Sequence, residues 1–275
     1  MGNLTKRILT ALVLLPIVFL VIWQPDLDLA FVLLVAALGS IGLLEYYHLA
    51  GLRERSRQAR LGVAAGVGIM TSAYFGSLLL TNFALCVGLI VVTLAHARNE
   101  KDLYHSLTAP AFGLLYVAWT AAHFVLLHGT EGRGPALVTF VIGVVALSDS
   151  GAYFAGKAIG SRKLAPVVSP NKTWEGAAGA VCAAMVGACI FYYLRSWAPF
   201  AGLPAFGIFW YLGLGAVLSV VGQLGDLAES ALKRAAGEKD SGSVLPGHGG
   251  VLDRCDGFLL AGPILYYIDR LALEF

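Results

Sequence analysis

Apolar residues fall in long runs along this chain, broken by short polar stretches, and the length of the runs sets the first expectations. A bilayer core about 30 Å thick takes roughly 20 mostly apolar residues per helix. By that measure the sequence holds nine candidate spans, at about 7–23, 29–50, 61–79, 82–97, 109–128, 135–156, 176–194, 206–224 and 257–273. Only a short uncharged stretch, 76–82, divides the third from the fourth. The first run follows Lys6 and Arg7 as the core of a signal peptide would. It ends in Trp23-Gln24-Pro25 with no small-x-small cleavage site, so it reads as a retained anchor. Neither a repeat of solenoid length nor a low-complexity tail is visible. Gly62-x-x-x-Gly66 and Gly156-x-x-x-Gly160 have the spacing for close helix approach.

Composition turns this pattern into a class. Of 275 residues, 58% are hydrophobic and only 13% charged, about half the share usual in soluble domains. The mean hydropathy is +0.76. A water-soluble fold of this size could not hide so much apolar surface, which excludes a soluble enzyme, a secreted disulfide scaffold and a disordered chain. Cys86, Cys182 and Cys189 lie in apolar runs, where cysteine behaves as a small hydrophobe, and Cys255 lies in a polar one. No CxxC pair or His-Cys cluster suggests zinc. The expected fold is therefore an all-α integral membrane protein of about nine transmembrane helices.

Charge then orients it. With the N-terminus in the cytoplasm and nine spans alternating, only Arg133, Arg195 and Arg270 of the 19 Lys and Arg residues fall outside. Adding or removing one span would destroy this positive-inside asymmetry, so the C-terminus is expected outside. We divide the chain into an N-terminal membrane region of about five helices, 1–134, and a C-terminal catalytic region, 135–275, with cytoplasmic loops at 157–175 and 225–256.

Ionised side chains inside spans are expensive and point to function. Glu45, near the cytoplasmic end of its run, and Asp269, beside Arg270, read as interface anchors. Asp149 is different: it lies about 10 Å below the end of its span, between Ser148 and Ser150. A carboxylate there must pair with a cation, bind a metal or face a wet cavity. Two segments are denser still. In the first, Ser169-Pro-Asn-Lys172-Thr-Trp-Glu175 runs into a span, and a helix N-terminus beside Lys172 suits an anion. A plain helix cap with an interfacial Trp fits it equally well.

The second segment, 223–256, holds Asp226, Glu229, Ser230, Lys233, Arg234, Lys239, Asp240, His248, Asp253, Arg254 and Asp256, interspersed with glycines that include Gly249 and Gly250. Asp226 and Ser230 share a helix face, and Glu229 with Lys233 reads as a surface ion pair. Acids interleaved with bases around a glycine-rich loop form the inventory of a metal–polyphosphate site. Hard carboxylate oxygens suit Mg2+, and Lys and Arg hold phosphate charge. The segment does not match GxxxxGK[ST], so no P-loop is indicated. A transporter gate carries similar charges.

The run Ser230-Ala-Leu-Lys-Arg-Ala-Ala-Gly-Glu-Lys-Asp-Ser-Gly-Ser-Val-Leu-Pro-Gly-His-Gly-Gly-Val-Leu-Asp-Arg-Cys-Asp256 resembles the signature of the phosphatidate cytidylyltransferases, the CDP-diacylglycerol synthases. That pattern is S-x-hydrophobic-K-R-x4-K-D-x-small-x2-hydrophobic-[PG]-x-H-G-G-hydrophobic-x-D-R-hydrophobic-D. Every fixed position is met, and the one departure is Cys255, where the family usually has an aliphatic residue, Phe or Thr. Upstream, Asp149-Ser-Gly-Ala-Tyr-Phe-Ala-Gly-Lys and Ser169-Pro-Asn-Lys-Thr-Trp-Glu-Gly176 are similar to the family's second characteristic region. Over the first 140 residues the likeness rests on hydropathy and span count.

The resemblance implies a bacterial inner-membrane enzyme that joins CTP to phosphatidic acid, giving CDP-diacylglycerol and pyrophosphate, with Mg2+ required. It also implies an all-helical fold, a homodimer, an active site facing the cytoplasm, membrane lipids as partners and no nucleic-acid partner. Asp226 and Asp253 are expected as principal metal ligands, with Asp149 and Asp256 as weaker candidates. Lys172, Lys233, Arg234, Lys239 and Arg254 are expected on phosphates. His248, Gly249 and Gly250 would line the nucleotide, and Ser230 the metal or a phosphate. Two other readings remain open: a CTP-using polyprenol or phytol kinase, and a secondary transporter with a midplane ion site.

Overall fold

The computed structural model describes residues 16–52, 56–96, 103–244 and 249–274, and most of these are helical. The helices are α1 (described over 16–23), α2 (Asp28–Leu49), α3 (Arg57–Ser72), α4 (Leu78–His96), α5 (Leu103–Gly113), α6 (Thr120–His128), α7 (Gly134–Ile159), α8 (Trp174–Leu194), α9 (Ile208–Ala235) and α10 (Leu252–Glu274). A π-helical turn, Leu114–Trp119, joins α5 to α6. Among the described residues six stretches are long and apolar enough to cross a bilayer: Pro25–Leu49, Leu78–Ala95, Leu107–His128, Gly134–Ile159, Trp174–Leu194 and Ile208–Ala235. This is a helical membrane protein with fewer qualifying spans than the nine runs in its sequence. The reasons are local. The first run is described only from residue 16, α3 has 16 residues and opens with Arg57 and Arg60, and α10 carries charge at both ends.

The doubtful boundary at 76–82 is a genuine break. After α3 a short 3-10 turn, Ala73–Phe75, ends at Gly76, whose φ of 65° is the left-handed conformation that only glycine adopts cheaply. Ser77 Oγ then accepts the Leu80 amide at 3.2 Å and starts the next helix.

Two of the expected loops are largely ordered. Residues 157–159 continue α7, and 163–173 form an antiparallel hairpin, β1 (Lys163–Ala165) with β2 (Ser169–Thr173), a small exception to the all-α expectation. Likewise 225–256 is not one loop: α9 runs on to Ala235 and α10 begins at Leu252. Hydropathy falls after Leu224, but Leu227, Ala228, Ala231, Leu232 and Ala235 keep the chain helical.

The chain divides into two compact units, residues 1–129 with 232–255, and 130–231 with 256–275. In the first, Leu43 and Tyr47 of α2, Ile69 and Met70 of α3, and Leu114, Leu126 and Leu127 are fully buried. Gly62 and Gly66 face the Tyr47 ring and Leu43, so this small-residue pair serves packing within the chain. In the second, α7 and α8 pack so closely that a Cβ on Gly151 would lie 2.6 Å from the Gly179 carbonyl oxygen. Phe140, Phe191 and Tyr211 fill its core edge to face. There Ser148 and Ser219 share a buried 2.7 Å hydrogen bond, and Arg133 grips Asp269 with two bonds of 3.0 and 2.9 Å. Asp269 is thus held by Arg133 as a buried bidentate pair, where the sequence suggested an interface anchor beside Arg270.

Candidate functional site

In the second unit, charge gathers where the hairpin meets α8. Thr173 is the N-cap of α8, its Oγ1 accepting the Gly176 amide at 3.1 Å. Within the first turn, the Glu175 carboxylate accepts the Ser161 amide at 3.0 Å, the Ser161 hydroxyl at 2.7 Å and the Arg162 amide at 3.2 Å. The Trp174 amide returns to the Arg162 carbonyl at 2.9 Å. These bonds hold a hairpin whose Ser-Pro-Asn-Lys-Thr strand has little β propensity of its own. The helix cap expected for this segment is present at Thr173. Lys172 projects from β2, and its Nζ lies 2.6 Å from Asp226 Oδ2 on α9. Ser230, one turn along α9, reaches Asp226 Oδ1 at 3.4 Å. The Asp226 side chain is 39% exposed, so its carboxylate meets solvent, whereas the Lys172 Nζ atom is buried.

Gly222 and Gly225 let α9 approach the Asp256–Gly257 backbone closely, Gly225 facing the Asp256 carbonyl. Asp226 and Asp256 are thus brought to one helix crossing. Asp256 Oδ1 accepts the Gly257 amide at 2.7 Å. Glu229 is fully buried, although the sequence suggested a helix-surface residue. Asp149 is exposed on α7, beside the buried Ser148.

The first unit holds a second lysine–aspartate pair in a different setting. Lys233 Nζ lies 2.6 Å from Asp253 Oδ1, with the Asp253 side chain only 5% exposed. Asp253 Oδ2 accepts the Ser241 amide at 2.9 Å, the Gly250 amide at 2.8 Å and the Ser241 hydroxyl at 3.0 Å. Burial alone would raise this carboxyl's pKa. The Lys233 ammonium and the Gly250 and Ser241 amides outweigh it and hold the pKa below the usual aspartate range. Gly249 has φ of 80°, and a Cβ there would lie 2.8 Å from Asp253 Oδ2. The turn before α10 therefore requires glycine twice over. Arg234 Nη1 donates to the Glu238 carbonyl at 3.1 Å. Arg234, Lys239 and Arg254 are exposed, and His248 lies outside the described residues.

Sequence reasoning missed Glu45. It reads as a snorkelling acid, yet it is 6% exposed and its carboxylate is fully employed. Oε1 accepts the Val251 amide at 3.0 Å, and Oε2 accepts the Leu252 amide at 2.8 Å and the Ser241 hydroxyl at 3.1 Å. Its partners stand some 200 positions away, beyond any local pattern. The one available signal was an acid inside an apolar run.

Comparison with known proteins gives a consistent result. The sequence pattern described as the cytidylyltransferase family matches residues 5–272. The chain is 37% identical to a phosphatidate cytidylyltransferase of Brucella suis over 276 positions, covering 100% of this chain and 96% of that protein. It is 36% identical to one of Bacillus subtilis, with 98% of each covered. A Staphylococcus aureus protein of the same name is 37% identical over 65% of this chain and 66% of its own length.

Proposed function

The chain belongs to the cytidylyltransferase family, and on that premise we infer that it transfers the cytidylyl group of CTP to phosphatidic acid. The products are CDP-diacylglycerol, for phospholipid synthesis, and pyrophosphate. Full-length similarity to phosphatidate cytidylyltransferases carries the reading. The two lysine–aspartate pairs, one in each unit, supply chemistry suited to it.

A phosphate oxygen of the lipid attacks the α-phosphorus of CTP in line; the new P–O bond forms as the bond to the β,γ-diphosphate breaks. A phosphomonoester is mostly a dianion at pH 7, its second pKa being about 6, so the attack needs no strong base. Positioning and charge neutralisation supply the acceleration. Lys172 and Lys233 each hold a carboxylate at 2.6 Å. Both ammonium groups place positive charge beside the carboxylates, where it offsets phosphate charge. Arg234, Lys239 and Arg254, exposed on their elements, add cationic reach, and Ser230 a hydroxyl. Gly249, Gly250 and His248 are assigned to the nucleotide.

Mg2+ is the proposed cofactor, with Asp226 and Asp253 as principal ligands and Asp256 and Asp149 as further candidates. The donors are hard oxygens of the kind Mg2+ takes, and binding there would require the two principal carboxylates to exchange the lysine now at 2.6 Å for the ion. Among the described residues no group of three or more His, Cys, Asp or Glu side chains is placed to hold a metal. Mg2+ takes one or two carboxylates and completes its shell with water and substrate phosphates. Bound there, the ion would neutralise the triphosphate. We place the chain in the bacterial inner membrane with nine spans, N-terminus and active site cytoplasmic, C-terminus outside, as a homodimer. The charge asymmetry of the loops supports this topology.

Purified protein given labelled CTP, phosphatidic acid and Mg2+ should form a labelled CDP-lipid with one pyrophosphate per lipid. A phosphorylated lipid and free CDP would instead mean a kinase. No turnover at all would favour the transporter.

A further inference from the structure

We propose that Glu45 is a positioning residue for cytidylyl transfer: from α2 its carboxylate holds Ser241 and the Val251–Leu252 backbone so that Asp253 is presented at the start of α10. The proposal rests on the functional reading above. The first turn of any helix leaves amides without intrahelical partners. In α10, the Val251 and Leu252 amides are met by the two Glu45 oxygens at 3.0 and 2.8 Å. The next amide, Asp253, donates to Ser241 Oγ at 3.2 Å. A helix that normally caps itself is here capped from a distant helix. Its starting point is therefore tied to the position of α2.

Ser241 connects this cap to the aspartate. Its hydroxyl lies 3.1 Å from Glu45 Oε2 and 3.0 Å from Asp253 Oδ2, yet it has one proton to donate. Both carboxylates thus depend on one buried serine, which is 2% exposed. Two glycines leave the space for this arrangement. A Cβ on Gly242 would lie 2.5 Å from Glu45 Oε1, and one on Gly250 would lie 2.5 Å from Oε2. The backbone passes directly over the Glu45 carboxylate on both sides. Displacing that carboxylate moves the turn that carries the Gly250 amide, one of the donors that hold Asp253 Oδ2.

The test uses the full chain, purified, with E45Q, S241A and G250A. Gln keeps the shape of Glu but can accept at only one end, so its amide group must confront either the Val251 or the Leu252 amide. We expect E45Q to lower kcat on the order of tenfold or more, with KM for phosphatidic acid within about twofold. Hydrogen exchange should rise in peptides covering 241–256 and stay unchanged in peptides from α3 and α4, where a general loss of packing would show. G250A should reproduce both effects, and S241A should give a smaller version of each. Unchanged kcat in E45Q, or unchanged exchange at 241–256, overturns the proposal. If E45Q does not fold, S241A and G250A decide it: wild-type exchange and turnover in both would refute it. A wild-type protein that forms no CDP-lipid would sink the functional reading instead, while the exchange data would still show whether Glu45 anchors the turn.

Discussion

Lys172–Asp226 and Lys233–Asp253 have the same length, 2.6 Å, and very different surroundings. The first joins a hairpin strand to the middle of α9, and its carboxylate is 39% exposed with a single further contact, Ser230 at 3.4 Å. The second has a carboxylate 5% exposed whose other oxygen accepts two amides and shares the Ser241 hydroxyl with Glu45. A pair with a half-exposed carboxylate is worth little to stability, about 0–1 kcal/mol. A buried, saturated pair is rigid, and breaking it leaves an uncompensated charge. The same two residue types therefore form a half-exposed pair in one unit and a buried, more heavily bonded pair in the other.

The sharpest way to break this comparison is to neutralise each aspartate. Both D226N and D253N should lose nearly all CDP-lipid formation, on the order of a thousandfold, as measured with labelled CTP. Their stabilities should differ. D253N leaves Lys233 or the Ser241 and Gly250 donors unmet and should cost about 3 kcal/mol, visible as a clear drop in the thermal midpoint followed by tryptophan fluorescence. D226N should melt within a degree or two of wild type. Equal destabilisation of the two variants would erase the distinction.

The lysines extend the contrast at lower amplitude. K233M strips a buried carboxylate of its cation and should lower both stability and kcat. K172M leaves a half-exposed carboxylate in water, so stability should stay within about 0.5 kcal/mol while KM for CTP rises several-fold in steady-state assays.

The smallest effect is on pH dependence. The Asp253 carboxyl is held below its ordinary value near 3.8, so its ionised form is the one the fold favours. The stability it contributes is fully present above that ordinary value and is lost only as pH falls through the depressed one. Between pH 7 and pH 5, wild type and D253N should therefore lose stability in parallel in denaturant titrations. A wild-type loss in that interval absent from D253N would contradict the assignment.

Much of this was legible in the sequence, and the limits have physical causes. Apolar runs marked the helices because lipid demands them, and the uncharged stretch 76–82 marked the one ambiguous break, which the structure sets at Gly76 and Ser77. The 230–256 run named the family because its residues are close in sequence. The apolar runs stop at 156 and 224 while the helices continue to Ile159 and Ala235, since hydropathy reports where a bilayer could end while helix propensity reports where the helix ends. The hairpin escaped notice because side chains outside it, Glu175 above all, hold it. Glu45 and the Arg133–Asp269 pair were invisible for one reason: their partners are set by tertiary packing over more than a hundred positions.

The central claim is that the α-phosphorus of CTP is the one attacked, and isotope placement tests it directly. Two samples of purified protein, Mg2+ and phosphatidic acid would receive CTP labelled at the α- or the γ-phosphate. Cytidylyl transfer places the α label in the lipid and the γ label in pyrophosphate. A γ label in the lipid, with the α label left in water-soluble CDP, would contradict the account.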